Sequence, residues 1–249
     1  METDEIPNLE LGQHFLIDER ILDKEIDAAN ISETDKIIEI GAGKGELTNL
    51  LVKNSKIVLA FEKDSSLKRY LDKLKHKNLT IVYDDAMKYD WRNYNKIVSN
   101  IPYFLSGDLM LKAIKDNIQD IIIIVGEEFK DKLINKSGKI GFIANLFYNI
   151  IPVLEVDKNS FFPIPRVNSW LITLHKKQLN DSEKFLINVI NREGKIKNSI
   201  LYALVNIGKT KKQAKAMIDS MELSQQVLEK PTSKLTEALL IKIKESLNL

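Results

Sequence analysis

Between Lys36 and His175 the chain alternates short, apolar runs with amphipathic stretches, and this pattern constrains the fold most strongly. Several runs lack the alternation of polar and apolar residues that is typical of a strand with one solvent-exposed face. They therefore belong in a parallel sheet that is covered on both sides. Strands are predicted at residues 37–40, 57–61, 79–82, 96–99 and 120–125. Helices are predicted between them at residues 47–53, 65–75, 107–115 and 127–135. The alternation therefore predicts a doubly wound α/β domain.

The pattern changes near residue 178. Two further strand-like runs, 141–150 and 170–175, flank a proline-containing connector and could add a hairpin to the sheet, although periodicity leaves this open. Beyond Ser182 only helical signals follow, at residues 183–191, 196–205, 211–221 and 236–246, with Thr236 as a helix N-cap. We therefore predict an α/β domain at residues 1–177 and a small all-helical domain at residues 178–249.

Composition excludes several classes of protein. The chain has 249 residues, of which 44% are hydrophobic and 29% charged, and it contains no cysteine. Disulfide scaffolds, thiolate metal sites and thiol nucleophiles are thereby excluded. No apolar run approaches the roughly 18 residues of a membrane span, and residues 1–5 are acidic, unlike a signal peptide. We expect a cytoplasmic protein with no membrane segment and, because its three histidines are scattered, no metal site.

The charge is distributed unevenly along the chain. Residues 1–175 carry 23 basic and 27 acidic side chains, whereas residues 176–249 carry 14 basic and 8 acidic ones. A basic helical appendage suggests a phosphate-bearing partner, although a lysine-rich solvated surface would give the same balance. Within this appendage, the strongest candidates for contacting such a partner are Lys195, Lys197, Lys209, Lys211, Lys212 and Lys215.

A glycine-rich turn follows the first predicted strand of the α/β domain. Gly41, Gly43 and Gly45 alternate with other residues, which lets the backbone approach a ligand closely. The turn fits neither common nucleotide motif. Glu46 occupies the third glycine position of the dinucleotide fingerprint, and Gly45 follows Lys44 where a phosphate loop needs serine or threonine.

Acidic residues follow the next two predicted strands. Glu62 ends the second strand, where a carboxylate can accept both hydroxyls of a ribose, and Asp85 follows the third, where it can accept an adenine amino group. Together with the glycine turn they outline an adenosine pocket along the carboxyl edge of the sheet. Without a phosphate-binding loop, this pattern favours a sulfonium-bearing adenosine over a nucleotide.

The fourth strand ends in Asn100, Ile101, Pro102 and Tyr103, which carry most of the chemical information. An aromatic amine is a poor nucleophile because its lone pair is delocalised into the ring. The Asn100 side-chain carbonyl and the Ile101 backbone carbonyl can accept its two hydrogens and favour a pyramidal nitrogen. Pro102 fixes the backbone there. Tyr103 supplies a flat face for a base, a contact worth about 1–3 kcal/mol.

These motifs resemble the ribosomal RNA small-subunit adenine dimethyltransferases of the kasugamycin-resistance type. The resemblance covers roughly residues 11–175 and is carried, in the family's order, by segments 11–18, 39–45, 85–86, 100–103, 151–156 and 161–169 and by Glu62. His14 stands where bacterial members have asparagine and is similar to archaeal members. No single motif is specific, but the set is.

The resemblance implies a Rossmann-like class I methyltransferase fold that uses S-adenosylmethionine. The residues it assigns to this cofactor are His14, Leu16, Gly41, Gly43, Glu62, Asp85 and Asn100. The residues it assigns to the target base are Asn100, Ile101, Pro102, Tyr103 and Phe161, with Phe161 on the face opposite Tyr103. It further implies direct methyl transfer to the exocyclic amine of adenines in a hairpin loop of small-subunit rRNA. A monomer acting on the immature small subunit is expected.

Three segments depart from the family pattern, at residues 104–108, 137–141 and 191–194. They leave the expected cofactor pocket intact but weaken the argument for standard RNA docking. Two alternative functions therefore remain open. One is a macrolide-resistance-type methylase of large-subunit rRNA, whose members often share Asn-Ile-Pro-Tyr. The other is a non-catalytic RNA-binding factor in ribosome assembly.

Overall fold

A computed structural model describes residues 11–246 and divides into two compact units. The first unit combines the chain up to Asn135 with Tyr148–Lys176. The second combines Lys136–Phe147 with the chain from Lys177 onward. The predicted boundary at residue 178 divides the chain into two continuous segments. In the structure the helical unit also includes Lys136–Phe147, from within the first of these segments.

The first unit is built on a seven-stranded sheet and a separate two-stranded pair. The strands are β1 (Phe15–Leu16), β2 (Lys36–Ile40), β3 (Ile57–Phe61), β4 (Leu79–Val82), β5 (Lys96–Asn100), β6 (Asp120–Gly126), β7 (Tyr148–Val156), β8 (Phe161–Phe162) and β9 (Ser169–Lys176). The large sheet has the order β4-β3-β2-β5-β6-β9-β7. The strands β2 to β6 pair in parallel, whereas β9 is antiparallel to both β6 and β7. The separate pair joins β1 to β8, also antiparallel.

The first helix of this unit precedes the parallel strands, and each of the later helices follows one of them, as the alternation predicted. They are α1 (Glu19–Ala29), α2 (Glu46–Asn54), α3 (Lys68–Leu71), α4 (Ser106–Lys115) and α5 (Glu127–Ile134). Central strands are buried almost throughout, because side chains on both faces of β2, β5 and β6 are covered. The predicted helix at 65–75 is shorter in the structure, being a 3-10 turn at Ser65–Leu67 followed by α3.

The prediction of a strand over 141–150 was wrong in its first part. Residues Gly138–Phe147 form a helix, α6, and the strand β7 begins only at Tyr148. A short run that is apolar on all sides does not distinguish a buried helix from a buried strand. Here α6 packs on other helices of the second unit and is buried by them. The added hairpin is present, because β7 and β9 pair antiparallel.

The second unit consists of helices. Besides α6 they are α7 (Asp181–Asn191), α8 (Ile196–Asn206), α9 (Lys211–Asp219), α10 (Gln225–Leu228) and α11 (Glu237–Glu245). Capping boxes begin α7 at Asn180 and α9 at Thr210, where side chain and backbone satisfy each other's hydrogen bonds. The Thr236 side chain accepts from the N–H of Leu239, which confirms the predicted cap of α11.

Two features were predicted to be absent from the chain, a membrane segment and a metal site. Within residues 11–246 none of the helices has the length and apolar character needed to span a bilayer. The same part of the chain holds no cluster of three or more His, Asp or Glu side chains placed to bind a metal ion. The acidic residues 1–5 lie outside the described residues.

Candidate active site

A cavity of about 130 Å³ lies where β2, β3, β4 and β5 end at the carboxyl edge of the sheet. Ligands of open α/β sheets bind at this edge, because the loops that follow parallel strands converge there. The cavity brings together most of the predicted site residues: His14, Gly41, Gly43, Glu62, Asp85, Asn100, Ile101, Pro102, Tyr103 and Phe161.

The glycine turn is fastened to the neighbouring strand by its backbone. The N–H groups of Gly41 and Ala42 both donate to the carbonyl of Phe61, at 2.8 and 3.0 Å. Gly41 has φ +77°, a left-handed conformation that favours glycine. The chain can therefore turn sharply off β2 and leave its backbone lining the cavity.

Glu62 connects the glycine turn to the end of β3. Its Oε2 accepts from the Gly43 N–H and its Oε1 from the Asp64 N–H, both at 2.8 Å. The side chain is buried, and this burial raises the pKa of its carboxyl. A carboxylate offers about four lone-pair sites, so Glu62 can still accept from a further donor in the cavity.

Asp85 lies beyond β4 on the same cavity wall. Its Oδ1 accepts from the N–H of Met87 at 3.0 Å and so caps a short 3-10 turn. Lys63, the residue after Glu62, places its Nζ 3.5 Å from Asp85 Oδ2. The carboxylate is therefore held from two sides while it lines the cavity.

Asn100 ends β5 and lines this cavity and a smaller one of about 50 Å³. Its Oδ1 is buried and has no hydrogen-bond partner within the described part of the chain. Such groups are rare in folded proteins, and a catalytic or ligand-binding role is one explanation for them. Ile101 follows, buried at 3% exposure, and the carbonyl of Pro102 accepts from Leu105.

The Tyr103 ring is fixed by contacts on several sides. It lies against the backbone of Gly126 at the end of β6, where an added Cβ would be 3.3 Å from Cδ2. The Tyr103 hydroxyl hydrogen-bonds the Ser169 hydroxyl, and the His14 ring stacks on Tyr103 with centroids 6.1 Å apart. Pro163 holds His14 in turn, because its carbonyl lies 2.7 Å from Nδ1. The ring is thus pre-positioned at the cavity.

Leu16 and Phe161 face each other as partners in the β1–β8 pair. Phe161 lines the larger cavity and is buried. Leu16 is buried in the hydrophobic core and lines only the smaller cavity of the two. Leu16 therefore shares the smaller cavity with His14, Gly41, Gly43 and Asn100 and does not line the larger one.

Several residues of the site were missed by sequence reasoning. Glu39 lines the smaller cavity, accepts from the Thr48 hydroxyl at 2.6 Å, and is buried, which raises the pKa of its carboxyl to about 8. Glu39 directly precedes the glycine turn, so its position could have suggested a role. Gly126 and Ser169 position Tyr103, but nothing in the sequence distinguishes them from an ordinary strand end and strand start.

Comparison with known proteins decides the family. A family model described as ribosomal RNA adenine dimethylase matches residues 7–239. The chain belongs to this family. Members of this dimethylase family are S-adenosylmethionine-dependent methyltransferases, which confirms the enzyme class expected from the motifs.

Individual members of the dimethylase family agree with this assignment. The chain is 38% identical over 190 residues to ribosomal RNA small subunit methyltransferase A of Mycoplasma mobile, covering 71% of this chain and 74% of the relative. It is 32% identical over 186 residues to the probable ribosomal RNA small subunit methyltransferase A of Pyrococcus abyssi, covering 71% and 69%.

A solved dimethyladenosine transferase from Plasmodium falciparum is similar in fold, with a TM-score of 0.65 and 25% identity. The match covers 94% of this chain and 98% of that one. It confirms the predicted Rossmann-like class I methyltransferase sheet with a helical C-terminal part.

Proposed function

We propose that this protein transfers methyl groups from S-adenosylmethionine to the exocyclic N6 amine of adenines in small-subunit rRNA, twice per base. The observation that carries the proposal is the buried, unpartnered Oδ1 of Asn100 beside the fixed ring of Tyr103. Both residues line one cavity with Glu62 and the glycine turn. One cavity is therefore lined both by residues proposed to bind the methyl donor and by residues proposed to bind the acceptor base.

The cofactor residues fit an adenosine with a charged sulfur. Glu62 would accept from the ribose hydroxyls, and Asp85, which lines the same cavity, would accept from the adenine amino group. Gly41 and Gly43 leave room for the methionine end, while His14 and Leu16 close the site from the N-terminal segment. When bound, S-adenosylmethionine supplies an electrophilic methyl group on a positive sulfur.

The acceptor residues activate a weak nucleophile. Asn100 Oδ1 and the Ile101 carbonyl accept the two hydrogens of the adenine amine, which favours a pyramidal nitrogen with its lone pair directed at the methyl group. Pro102 fixes this turn. Positioning and polarisation by groups that are already in place then account for most of the rate enhancement.

The target base must leave its stack to reach this cavity, at a cost of a few kcal/mol that is lower in a hairpin loop. Tyr103 provides the stacking face that offsets this cost, and Phe161 packs from the opposite side. The stacked His14 ring supports Tyr103 from within the site. An everted purine would thus enter between aromatic side chains.

The helical residues 178–249 form the RNA-contacting part in this proposal, with residues 1–177 as the methyltransferase domain. Exposed lysines of α9 and its surroundings would supply phosphate contacts. The substrate is the immature small ribosomal subunit, and the protein acts as a cytoplasmic monomer in ribosome biogenesis.

The proposal is tested by incubating purified immature small subunits and large subunits separately with labelled S-adenosylmethionine and then mapping the modified nucleotides. We expect N6-dimethyladenosine in a hairpin loop of the small-subunit RNA. Label confined to a large-subunit adenine would support a macrolide-resistance-type methylase instead. RNA binding without any methyl transfer would support a non-catalytic assembly factor.

A further inference from the structure

Phe104 is an exposed aromatic side chain on the wall of the larger cavity. It follows Tyr103 in the 3-10 turn Tyr103–Leu105 and is 64% exposed. Exposed apolar side chains that are scattered singly over a surface are ordinary. Phe104 differs from them because it lines the cavity in which the target base is proposed to bind. It also begins segment 104–108, which departs from the family pattern, so the resemblance assigns it no role.

The backbone of Gly12 lies against the Phe104 ring. A Cβ added to Gly12 would be 3.1 Å from Cε1 and 3.3 Å from Cδ1 of that ring. Gly12 has φ +66°, a left-handed conformation that favours glycine. The ring is therefore restricted on one side by packed backbone, while most of its surface is open to solvent. A restricted side chain loses less conformational freedom when it binds a ligand than a freely rotating one.

Phe104 and Tyr103 point in different directions. A 3-10 helix has about three residues per turn, so successive side chains leave it about 120° apart. The Tyr103 side chain is half-buried, with its ring against Gly126 and its hydroxyl bonded to Ser169. The exposed Phe104 ring is therefore turned away from the place where Tyr103 would stack. The two rings can serve two successive positions of an RNA strand.

An unpaired base beside the target matches the chemistry of the Phe104 ring. When one nucleotide of a loop leaves its stack, its neighbours lose a stacking partner, and aromatic side chains bind such unstacked bases in single-stranded RNA. This contact accepts any base, because every base has a π face. Phe104 has no polar atom for a phosphate or a ribose hydroxyl, so its side chain can bind a nucleotide only through the base.

We propose that Phe104 binds the nucleotide adjacent to the target adenine by stacking on its base. This inference rests on the proposed function, because it requires the target adenine to occupy the larger cavity. Phe104 then contributes to affinity for the RNA loop and not to the binding of S-adenosylmethionine. Adenines with an unpaired neighbour are favoured over adenines inside a duplex.

Substitutions of Phe104 test the stacking contact on an rRNA hairpin that contains the mapped target adenine. Phe104→Ala should lower kcat/KM for this hairpin about 5- to 150-fold, chiefly through KM. Phe104→Leu keeps an apolar side chain without a flat ring and should lose a similar factor. Phe104→Tyr keeps the ring and should stay within about threefold of the wild type. Because the side chain is exposed, all three variants should fold.

Two controls separate stacking from other effects of these substitutions. Leu111 is 44% exposed but lines neither of the two cavities, so Leu111→Ala should have the kcat/KM of the wild type. Affinity for S-adenosylmethionine, measured by calorimetry, should be nearly unchanged in Phe104→Ala. A loss confined to cofactor affinity would overturn the inference, because Phe104 would then contact the methyl donor.

Hairpins that lack a single base identify the nucleotide that Phe104 contacts. One hairpin is abasic at the neighbour that precedes the target, and another is abasic at the neighbour that follows it. In one of them Phe104→Ala should differ from the wild-type enzyme by less than about twofold, because the stacking partner is already absent. In the other hairpin the variant should keep its full defect.

Two results would contradict the stacking role. Wild-type kcat/KM in Phe104→Ala would overturn the inference, as would a full defect of this variant on both abasic hairpins. Failure of the wild-type enzyme to methylate any small-subunit RNA would instead refute the proposed function. The two failures are therefore distinguishable.

Discussion

At the scale of single residues, Tyr103 shows how a flat ring is held ready for a base. Gly126, Ser169 and His14 fix it from three sides. We predict that Tyr103→Ala lowers kcat/KM for RNA about 5- to 150-fold, which corresponds to the loss of about 1–3 kcal/mol of stacking. Steady-state methylation assays at varied RNA concentration measure this.

The matched control is Tyr103→Phe, which keeps the ring and loses only the hydrogen bond to Ser169. It should remain within about tenfold of the wild type. Binding of S-adenosylmethionine by the alanine variant should be nearly unchanged. An alanine variant with wild-type kcat/KM would show that the ring does not hold the base.

Glu39 makes the stability of the protein depend on pH. Burial raises its folded-state pKa to about 8, whereas the ordinary value is 4.5. Between these values the folded state binds more protons than the unfolded state, so the free energy of unfolding falls as pH rises toward about 8. Urea unfolding without cofactor at several pH values between about 5 and 8 measures the slope.

The variant Glu39→Gln retains an acceptor for the Thr48 hydroxyl but does not titrate. Its unfolding free energy should fall less steeply with pH than that of the wild type. Some slope should remain, because burial also raises the pKa values of Glu25 and Glu62. Identical slopes in the two proteins would contradict this account of Glu39.

Much of the site could be predicted at residue level, because its members follow strands at the expected places. Glu62 and Asp85 follow parallel strands and Asn100 ends one, and the carboxyl ends of parallel strands converge at one edge of the sheet. The burial of Glu25 in α1 could not be predicted, since an acidic residue on an amphipathic helix is normally solvent-exposed. Its burial depends on α1 packing that no local pattern reveals.

At the scale of elements, a buried ion pair secures α1 to the sheet. Lys96 at the start of β5 lies 2.9 Å from Asp35 before β2, and its Nζ also donates to the carbonyl of Ala29 at 2.8 Å. Removing one partner leaves the other charge buried. Lys96→Met should therefore lower the free energy of unfolding by about 3–5 kcal/mol.

The double variant Lys96→Met with Asp35→Leu should recover much of this loss, because it leaves no unpaired charge. The pair lies at the amino end of β5, whereas Asn100 ends the same strand. The folded single variant should therefore bind S-adenosylmethionine normally in calorimetry. A large loss of cofactor affinity without a loss of stability would contradict this separation.

Helices and strands could be predicted where the distribution of apolar residues along the chain was regular. The parallel strands follow it closely, since buried strands need continuous apolar side chains. The segment of α6 was misread because its apolar residues lie on all sides. The edge strand β7 contains Pro152 beside a register shift, a position where proline costs few hydrogen bonds.

At the scale of the whole molecule, the basic C-terminal part should govern how RNA binding responds to salt. Lys211, Lys212 and Lys215 are exposed on α9. Replacing all three with glutamine should flatten the dependence of log K on log salt by about 0.7–0.9 for each phosphate that is no longer neutralised. Fluorescence anisotropy with an rRNA hairpin at several salt concentrations measures the slope.

The matched control replaces Lys68, Lys73 and Lys75 of the first unit with glutamine. The ammonium of Lys68 lies over the Tyr83 ring and that of Lys73 over the Tyr70 ring, at 5.2 and 5.7 Å. This variant has the same change in net charge, and its salt slope should match that of the wild type. A flatter slope in the control alone would show that the RNA-binding surface lies on the first unit.

The role of Asn100 is most directly tested by single-turnover methyl transfer with saturating S-adenosylmethionine and small-subunit RNA. Asn100→Ala removes the unpartnered carbonyl that the amine needs but leaves Glu62 and the Tyr103 ring in place. We predict a transfer rate at least about a hundredfold below that of the wild type, with the fold intact. Transfer at the wild-type rate would contradict the account.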